Sequence, residues 1–219
     1  MDGIIVIDKP KGPTSHDIVD IVRRAFHIRK VGHAGTLDPM ATGVLVILTG
    51  KCTKESGKFS SDDKEYEAEL TLGATSDTED AEGVITNSGK LIDPDPVRIK
   101  EVFNAFLGTI EQIPSAYSAV KHKGKKLYEL ARKGIRVEIE PRRITISRLD
   151  IVEITLPKIK FSVTCSKGTY IRKLAADIGE RLGCGAYLSA LRRTRSGKFT
   201  IAEAITVDKL ATLSNRTCA

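Results

Sequence analysis

Hydrophobic and polar positions alternate along this chain with two distinct periods. Residues 3–7 form a short β-branched apolar run closed by Asp8, Lys9 and Pro10, the pattern of a strand. The KGPTS stretch that follows is a turn, and Thr14 with Asp17 has capping-box spacing, Asp replacing the usual Glu or Gln. Ile18, Ile21, Val22, Ala25 and Phe26 then share one helical face, with Arg23, Arg24 and His27 toward the end that the helix dipole makes negative. Residues 31–43 read as a glycine- and proline-broken loop, and GVLVILTG after it as a buried strand.

Beyond this point residues 65–72 alternate as a strand and residues 75–83 form an acidic loop. Residues 97–107 predict a helix with Val97, Val102, Phe103, Phe106 and Leu107 inward, and residues 126–133 a short basic helix ended by Gly134. Strands are predicted over 143–154, 159–165 and 198–201. Helices are predicted over 170–182, stopped by Gly183, and over 207–213. The order is irregular rather than a steady βαβα alternation. It predicts an α+β fold with a mixed or antiparallel sheet flanked by helices, over a single domain of residues 1–219.

Composition narrows the function. The chain has 219 residues, 41% hydrophobic and 29% charged, enough to bury a core. Its net charge is +7, and the whole surplus lies in residues 121–148, which hold ten Lys or Arg against three Glu; the remainder is balanced. One basic segment on a neutral body suits either a solvated helix face or a polyanion such as a phosphate backbone. Cys52, Cys165, Cys184 and Cys218 form no C-x-x-C pair, and the four His show no zinc spacing. No apolar run approaches the ~20 residues that span a bilayer, and the opening GIIVIDKP is too short and too soon charged to be expected as a signal peptide. A soluble cytoplasmic protein is expected, and no nucleotide, dinucleotide or metal motif calls for a cofactor.

The loop GHAGTLDPMATG, residues 32–43, offers chemistry. Gly32, Gly35 and Gly43 permit close approach of a ligand, and Pro39 stiffens the chain beside Asp38. A carboxylate so placed can serve as nucleophile or base, or be an ordinary Asp-Pro turn. GHAGTLDPMATGVL closely resembles the signature of the TruB family of tRNA pseudouridine-55 synthases. Four further stretches resemble that family's segments in the same order. These are VIDKPKGPTSHDIV, DKEYEAELTLGATSDTEDAEG, IPSAYSAVKHKGKKLYELARKG and CSKGTYIRKLAADIGERLGCGAYLSALRRTRSG.

The resemblance implies an isomerase that detaches the uracil of one T-arm uridine in tRNA, turns it and rejoins it through carbon. Asp38 would be the nucleophile, and Tyr66 would stack on the flipped base and assist the C5 proton. Arg172 would pair with Asp38, Tyr170 and Leu191 would line the uracil pocket, and His33 would fill the stack left by the uridine. Lys9 and Lys54 would support the loop or contact phosphate. An insertion over about 113–147 would grip RNA. No obligatory protein partner, a monomer, and no C-terminal domain of the PUA type are expected. Two other readings remain: a guide-dependent relative that works inside an H/ACA ribonucleoprotein, and a tRNA-binding folding chaperone.

Overall fold

The computed structural model describes residues 2–89, 93–115, 117, 118, 120–122, 124–131, 133–135 and 137–210, with the main chain alone at 121, 122, 126 and 128. In chain order the elements are β1 (Gly3–Lys9), α1 (Ser15–Phe26), β2 (Val31–Ala34), β3 (Thr42–Thr49), α2 (Ser56–Ser60) and β4 (Lys64–Leu72). Then come β5 (Ala74–Ser76), β6 (Ile85–Asn87), α3 (Pro96–Asn104), β7 (Gly108–Gln112), β8 (Lys121–His122), β9 (Lys125–Lys126) and α4 (Leu127–Ala131). The last are β10 (Arg142–Thr155), β11 (Lys158–Cys165), α5 (Ile171–Leu182), β12 (Ala186–Ser196), β13 (Phe199–Thr200) and β14 (Ile205–Thr206). Parallel and antiparallel pairs both occur, as the mixed-sheet expectation requires.

The residues cluster into two compact units, 1–67 with 191–219 and 68–190. The chain leaves the first unit within β4 and returns to it within β12.

In the first unit β3 is the centre. Seven of its eight residues are buried, because an apolar run this continuous must be covered on both faces. β1 runs antiparallel along one edge, from Gly3 opposite Thr49 to Lys9 opposite Gly43. The other edge is shared. β2 pairs with residues 46–49 of β3 and β12 runs parallel beside Thr42 and Gly43. Residues 31–34 of the predicted loop are therefore strand, since the β3 edge offers them a ladder. Helix α1 starts as predicted: the Thr14 hydroxyl accepts from the Asp17 amide and Asp17 reaches back to the Thr14 amide. Ile18, Val19 and Val22 are its buried stripe.

In the second unit β10 pairs with β11 on one side and β7 on the other. Helix α3 buries Ile99, Val102 and Phe103, and Phe103 meets Phe161 of β11 edge to face at 5.6 Å. The inward expectation fails at Val97 and Leu107, which are 61% and 42% exposed. Pro96 at the helix start places Val97 in the first turn, and Leu107 lies past the helix end at Asn104, so neither follows the buried stripe. Helix α5 begins after Tyr170 and ends at Gly183, whose φ of 80° is the left-handed cap glycine tolerates. The predicted closing helix is present over 207–210, and the rest of it lies outside the described residues.

Candidate active site

Residues 35–41 connect β2 to β3. Asp38 opens a turn with Pro39 in the position proline favours, and the Ala41 amide donates to the Asp38 carbonyl at 3.1 Å. The ordinary Asp-Pro turn and the reactive carboxylate are thus compatible. The turn is the mount.

Three side chains hold that mount. Lys9, fully buried at the end of β1, donates from Nζ to the carbonyls of Pro10, Pro39 and Ala41 at 2.9, 3.2 and 2.7 Å. These bonds tie the end of β1 to the loop. Ser15, the first residue of α1, donates its hydroxyl to the Leu37 carbonyl at 2.9 Å and accepts from the Leu37 amide at 2.8 Å. Arg193, 1% exposed on β12, donates to the carbonyls of Val44, Gly35 and Thr36 at 2.7, 3.1 and 3.4 Å. The Gly12 amide adds a bond to the Pro39 carbonyl at 2.9 Å. The main chain of Arg193 comes so near β3 that a Cβ at position 43 would stand 2.2 Å from its carbonyl oxygen, and Gly43 has a φ of 97°.

Leu191, two residues before Arg193, is buried and accepts from the Thr42 hydroxyl through its carbonyl at 3.4 Å. Arg192 between them forks onto both carboxylate oxygens of Asp8 at 3.2 and 2.8 Å. His33 sits half-buried on β2 opposite Ile47. Burial, then the Arg193 charge, then His16 lower its pKa below the ordinary imidazole value. Its Nδ1 is buried without a hydrogen-bond partner. Lys54 is exposed in the helical turn after β3.

Tyr66 lies on β4. Lys64, Ala68, Leu70 and Leu72 are buried while Glu67 is exposed, so Tyr66 shares the inward face and the acids take the other, as period-two alternation predicts. Tyr66 itself is half-buried. Glu65 on the opposite face bonds to Arg195 at 2.6 Å.

In the second unit Tyr170 is the N-cap of α5, and Gln112 grips its main chain from both sides. The Gln112 amide donates to the Tyr170 carbonyl at 3.1 Å and its oxygen accepts from the Tyr170 amide at 2.8 Å. Arg172, 5% exposed, donates to the carbonyls of Thr78 and Tyr117 at 3.1 and 3.0 Å and stands 3.4 Å from Asp80. Asp80 is buried as well and accepts from the Thr78 hydroxyl at 2.6 Å and the Glu82 amide at 3.0 Å. The pair is therefore hydrogen-bonded on both partners, as buried charges must be. Beside it Glu79, in the left-handed region at φ 66°, is pushed above the usual carboxylate range by burial, against the Ser115 hydrogen bond and the Lys173 and Arg172 charges.

The sequence pattern marks residues 75–83 only as an acidic loop. Asp80 is the member that carries weight, and only the fold shows which. It also passed over Ser15, Gln112 and Arg193, whose partners lie 22, 58 and about 150 residues away. Ser15 stands in the stretch read as a turn, whereas the strands that carry Gln112 and Arg193 are not among those the pattern predicts.

Comparison with known proteins shows the family. The family model for the N-terminal domain of TruB family pseudouridylate synthase matches residues 23–171, and that for the tRNA pseudouridylate synthase B C-terminal domain matches residues 172–217. The chain belongs to the TruB family. The tRNA pseudouridine synthase B of Syntrophotalea carbinolica is 48% identical over 96% of this chain and 69% of its own length. That of Alkaliphilus oremlandii is 50% identical over 98% of this chain and 72% of its own. Among solved structures, a Cbf5-Nop10-Gar1 complex holds a chain 34% identical with a TM-score of 0.77, covering 96% of this chain. An H/ACA RNP bound to a substrate RNA containing 2'-deoxyuridine gives 31% and 0.72. The TruB-family chain spans about half the length of these two neighbours, 54% and 52%.

Proposed function

We propose that this chain is a stand-alone tRNA pseudouridine synthase, an isomerase that converts the T-arm uridine at position 55 without guide RNA and uses Asp38 as its nucleophile. The observation that carries the reading is the Asp38 turn, mounted on buried Lys9, Ser15 and Arg193 inside the motif that marks the family. A carboxylate on a rigid turn meets the first demand of the chemistry, attack on or stabilisation of the sugar carbon as the glycosidic bond breaks. Tyr66 supplies the aromatic face a flipped base needs, and its half-exposed place on β4 suits that task. In this reading Arg172 pairs with Asp38 and keeps it ionised, while Tyr170 and Leu191 bound the uracil and His33 enters the RNA stack. The burial that lowers the His33 pKa favours the uncharged ring, which suits stacking among bases. The residues around 113–147 grip the T-arm, the whole chain acts as one catalytic domain, and the protein works as a cytoplasmic monomer. Isomerisation exchanges no group or electron with a second molecule.

The likeness to Cbf5 keeps the guide-dependent reading in view, but the relatives named tRNA pseudouridine synthase B are nearer in identity, 48% and 50% against 34%. The test is purified protein on an unmodified tRNA transcript, with no guide or partner, followed by pseudouridine mapping. Conversion at one T-arm position, abolished by Asp38→Asn with tRNA affinity held within a few-fold, is expected. A tenth of wild-type turnover surviving in Asp38→Asn would remove the nucleophile assignment. Binding with no conversion would favour the guide-dependent or chaperone readings.

A further inference from the structure

We infer that Ser15 and Arg193 are positioning residues for the reaction: they fix the main chain of residues 35–37 and so aim the Asp38 carboxylate. The inference rests on Asp38 being the nucleophile. Its ground is the way the carbonyls of residues 35–41 are satisfied. Gly35 and Thr36 accept from Arg193, Leu37 from Ser15, Asp38 from the Ala41 amide, Pro39 from Gly12 and Lys9, and Ala41 from Lys9. Six of seven carbonyls in a surface-reaching loop have an assigned donor. Three of the donors are side chains at least 98% buried.

Ser15 is the sharper device. Its one hydroxyl serves both the donor and the acceptor of Leu37, the residue next to Asp38, as a neighbouring strand would. Ser15 thereby ties the start of α1 to the turn. Arg193 is the less economical choice for a core. It is a buried cation, and among the described residues its hydrogen-bond acceptors are all main-chain carbonyls. A hydrophobic residue of like volume would fill the space without the desolvation cost. What the guanidinium adds is direction: three carbonyls from two segments held at fixed angles by one planar fork. Gly35, with a φ of 90°, brings its carbonyl to that fork, and a Cβ there would lie 3.5 Å from Nη1.

A residue that only stabilises the fold would lower the melting temperature and leave the chemical step of the folded fraction intact. A positioning residue slows the step itself. Ser15→Ala, Arg193→Lys and Arg193→Met are compared with wild type in single-turnover conversion of saturating tRNA, with affinity and melting temperature measured alongside. Ile99→Val, a core change remote in sequence from the loop, is the stability control. Ser15→Ala is expected to slow the step about 10- to 100-fold, the scale of misplacing a reacting group by about an ångström, with tRNA affinity within threefold. Arg193→Lys keeps the charge and part of the bonding and should fall between wild type and Arg193→Met. Should Arg193→Met fail to fold, Ser15→Ala and Arg193→Lys still decide. A Ser15→Ala rate within twofold of wild type overturns the inference, as does a rate loss that Ile99→Val reproduces at equal loss of stability. Active Asp38→Asn in the same assay overturns the nucleophile reading and this inference with it. Inactive Asp38→Asn beside wild-type Ser15→Ala overturns the inference alone.

Discussion

Replacing Gly43 by alanine asks the turn's foundation to accept one methyl group. The added Cβ would meet the Arg193 carbonyl oxygen at 2.2 Å, its nitrogen at 2.9 Å and its carbonyl carbon at 3.0 Å. An ordinary carbon–oxygen contact is about 3.3 Å or more, so β3 and β12 must separate by about 1 Å. The atoms in the way are main chain, which no rotamer change can move aside. Overpacking of this kind costs about 1–3 kcal/mol, and the φ of 97° adds about 1–3 kcal/mol for a residue with a side chain. Together about 4 kcal/mol is lost, which at 2–4 °C per kcal/mol for a chain this size lowers the melting temperature by about 8–16 °C. Gly12→Ala is the matched control. Its φ is 110° and nothing lies within 4 Å of the added Cβ, so it bears the conformational part alone. Thermal unfolding followed by circular dichroism on the two variants separates the terms. Equal shifts would refute the close approach of β12 to Gly43, and with it the account of how Arg193 reaches the turn.

Tyr66→Phe keeps the ring and removes the hydroxyl. If that hydroxyl serves the C5 proton, single-turnover conversion falls by about a hundredfold or more with near-normal tRNA binding, and a near wild-type rate would leave Tyr66 a stacking wall. Changing exposed Lys125, Arg142 and Arg143 together to Gln should weaken tRNA binding and reduce the log–log salt slope by up to about one unit per lost phosphate contact; an unchanged slope and affinity would place this segment away from RNA. For His33 the folded-state pKa lies below the unfolded value, so the unfolded chain binds the proton first. Stability is therefore complete above the unfolded pKa of about 6.5 and declines as pH falls below it. Urea titrations at pH 7.5 and 5.5 should show His33→Gln losing less stability on acidification than wild type, and equal losses would show that His33 does not resist protonation.

How much of this was legible in the sequence depended on whether the signal was local. The α1 capping box, the β3 run, the period-two face of Tyr66 and the Gly183 stop all arise within a few residues, and all appear as read. β12 did not, because AYLSALRRTRS places Arg193 where a strand pattern wants an apolar residue. The guanidinium is buried there only because carbonyls of the turn and of β3 receive it. The same holds for Gln112, an ordinary polar residue until Tyr170 arrives from 58 positions away. Among the basic positions of residues 121–148, Lys123, Arg132, Arg136 and the side chains of Lys121 and Lys126 lie outside the described residues.

The alternation of β4 has a genetic consequence. Glu65, Tyr66 and Glu67 stand on opposite faces by turns. A point substitution at either glutamate leaves the ring in place. Gain or loss of a single codon upstream within the strand would shift the register by one and present a carboxylate where the aromatic ring now lies. β4 should thus tolerate many missense changes on its acidic face and almost no in-frame indels of one residue. A deep scan of both mutation types across residues 64–72 would reveal that asymmetry as a two-residue rhythm in one set and uniform loss in the other.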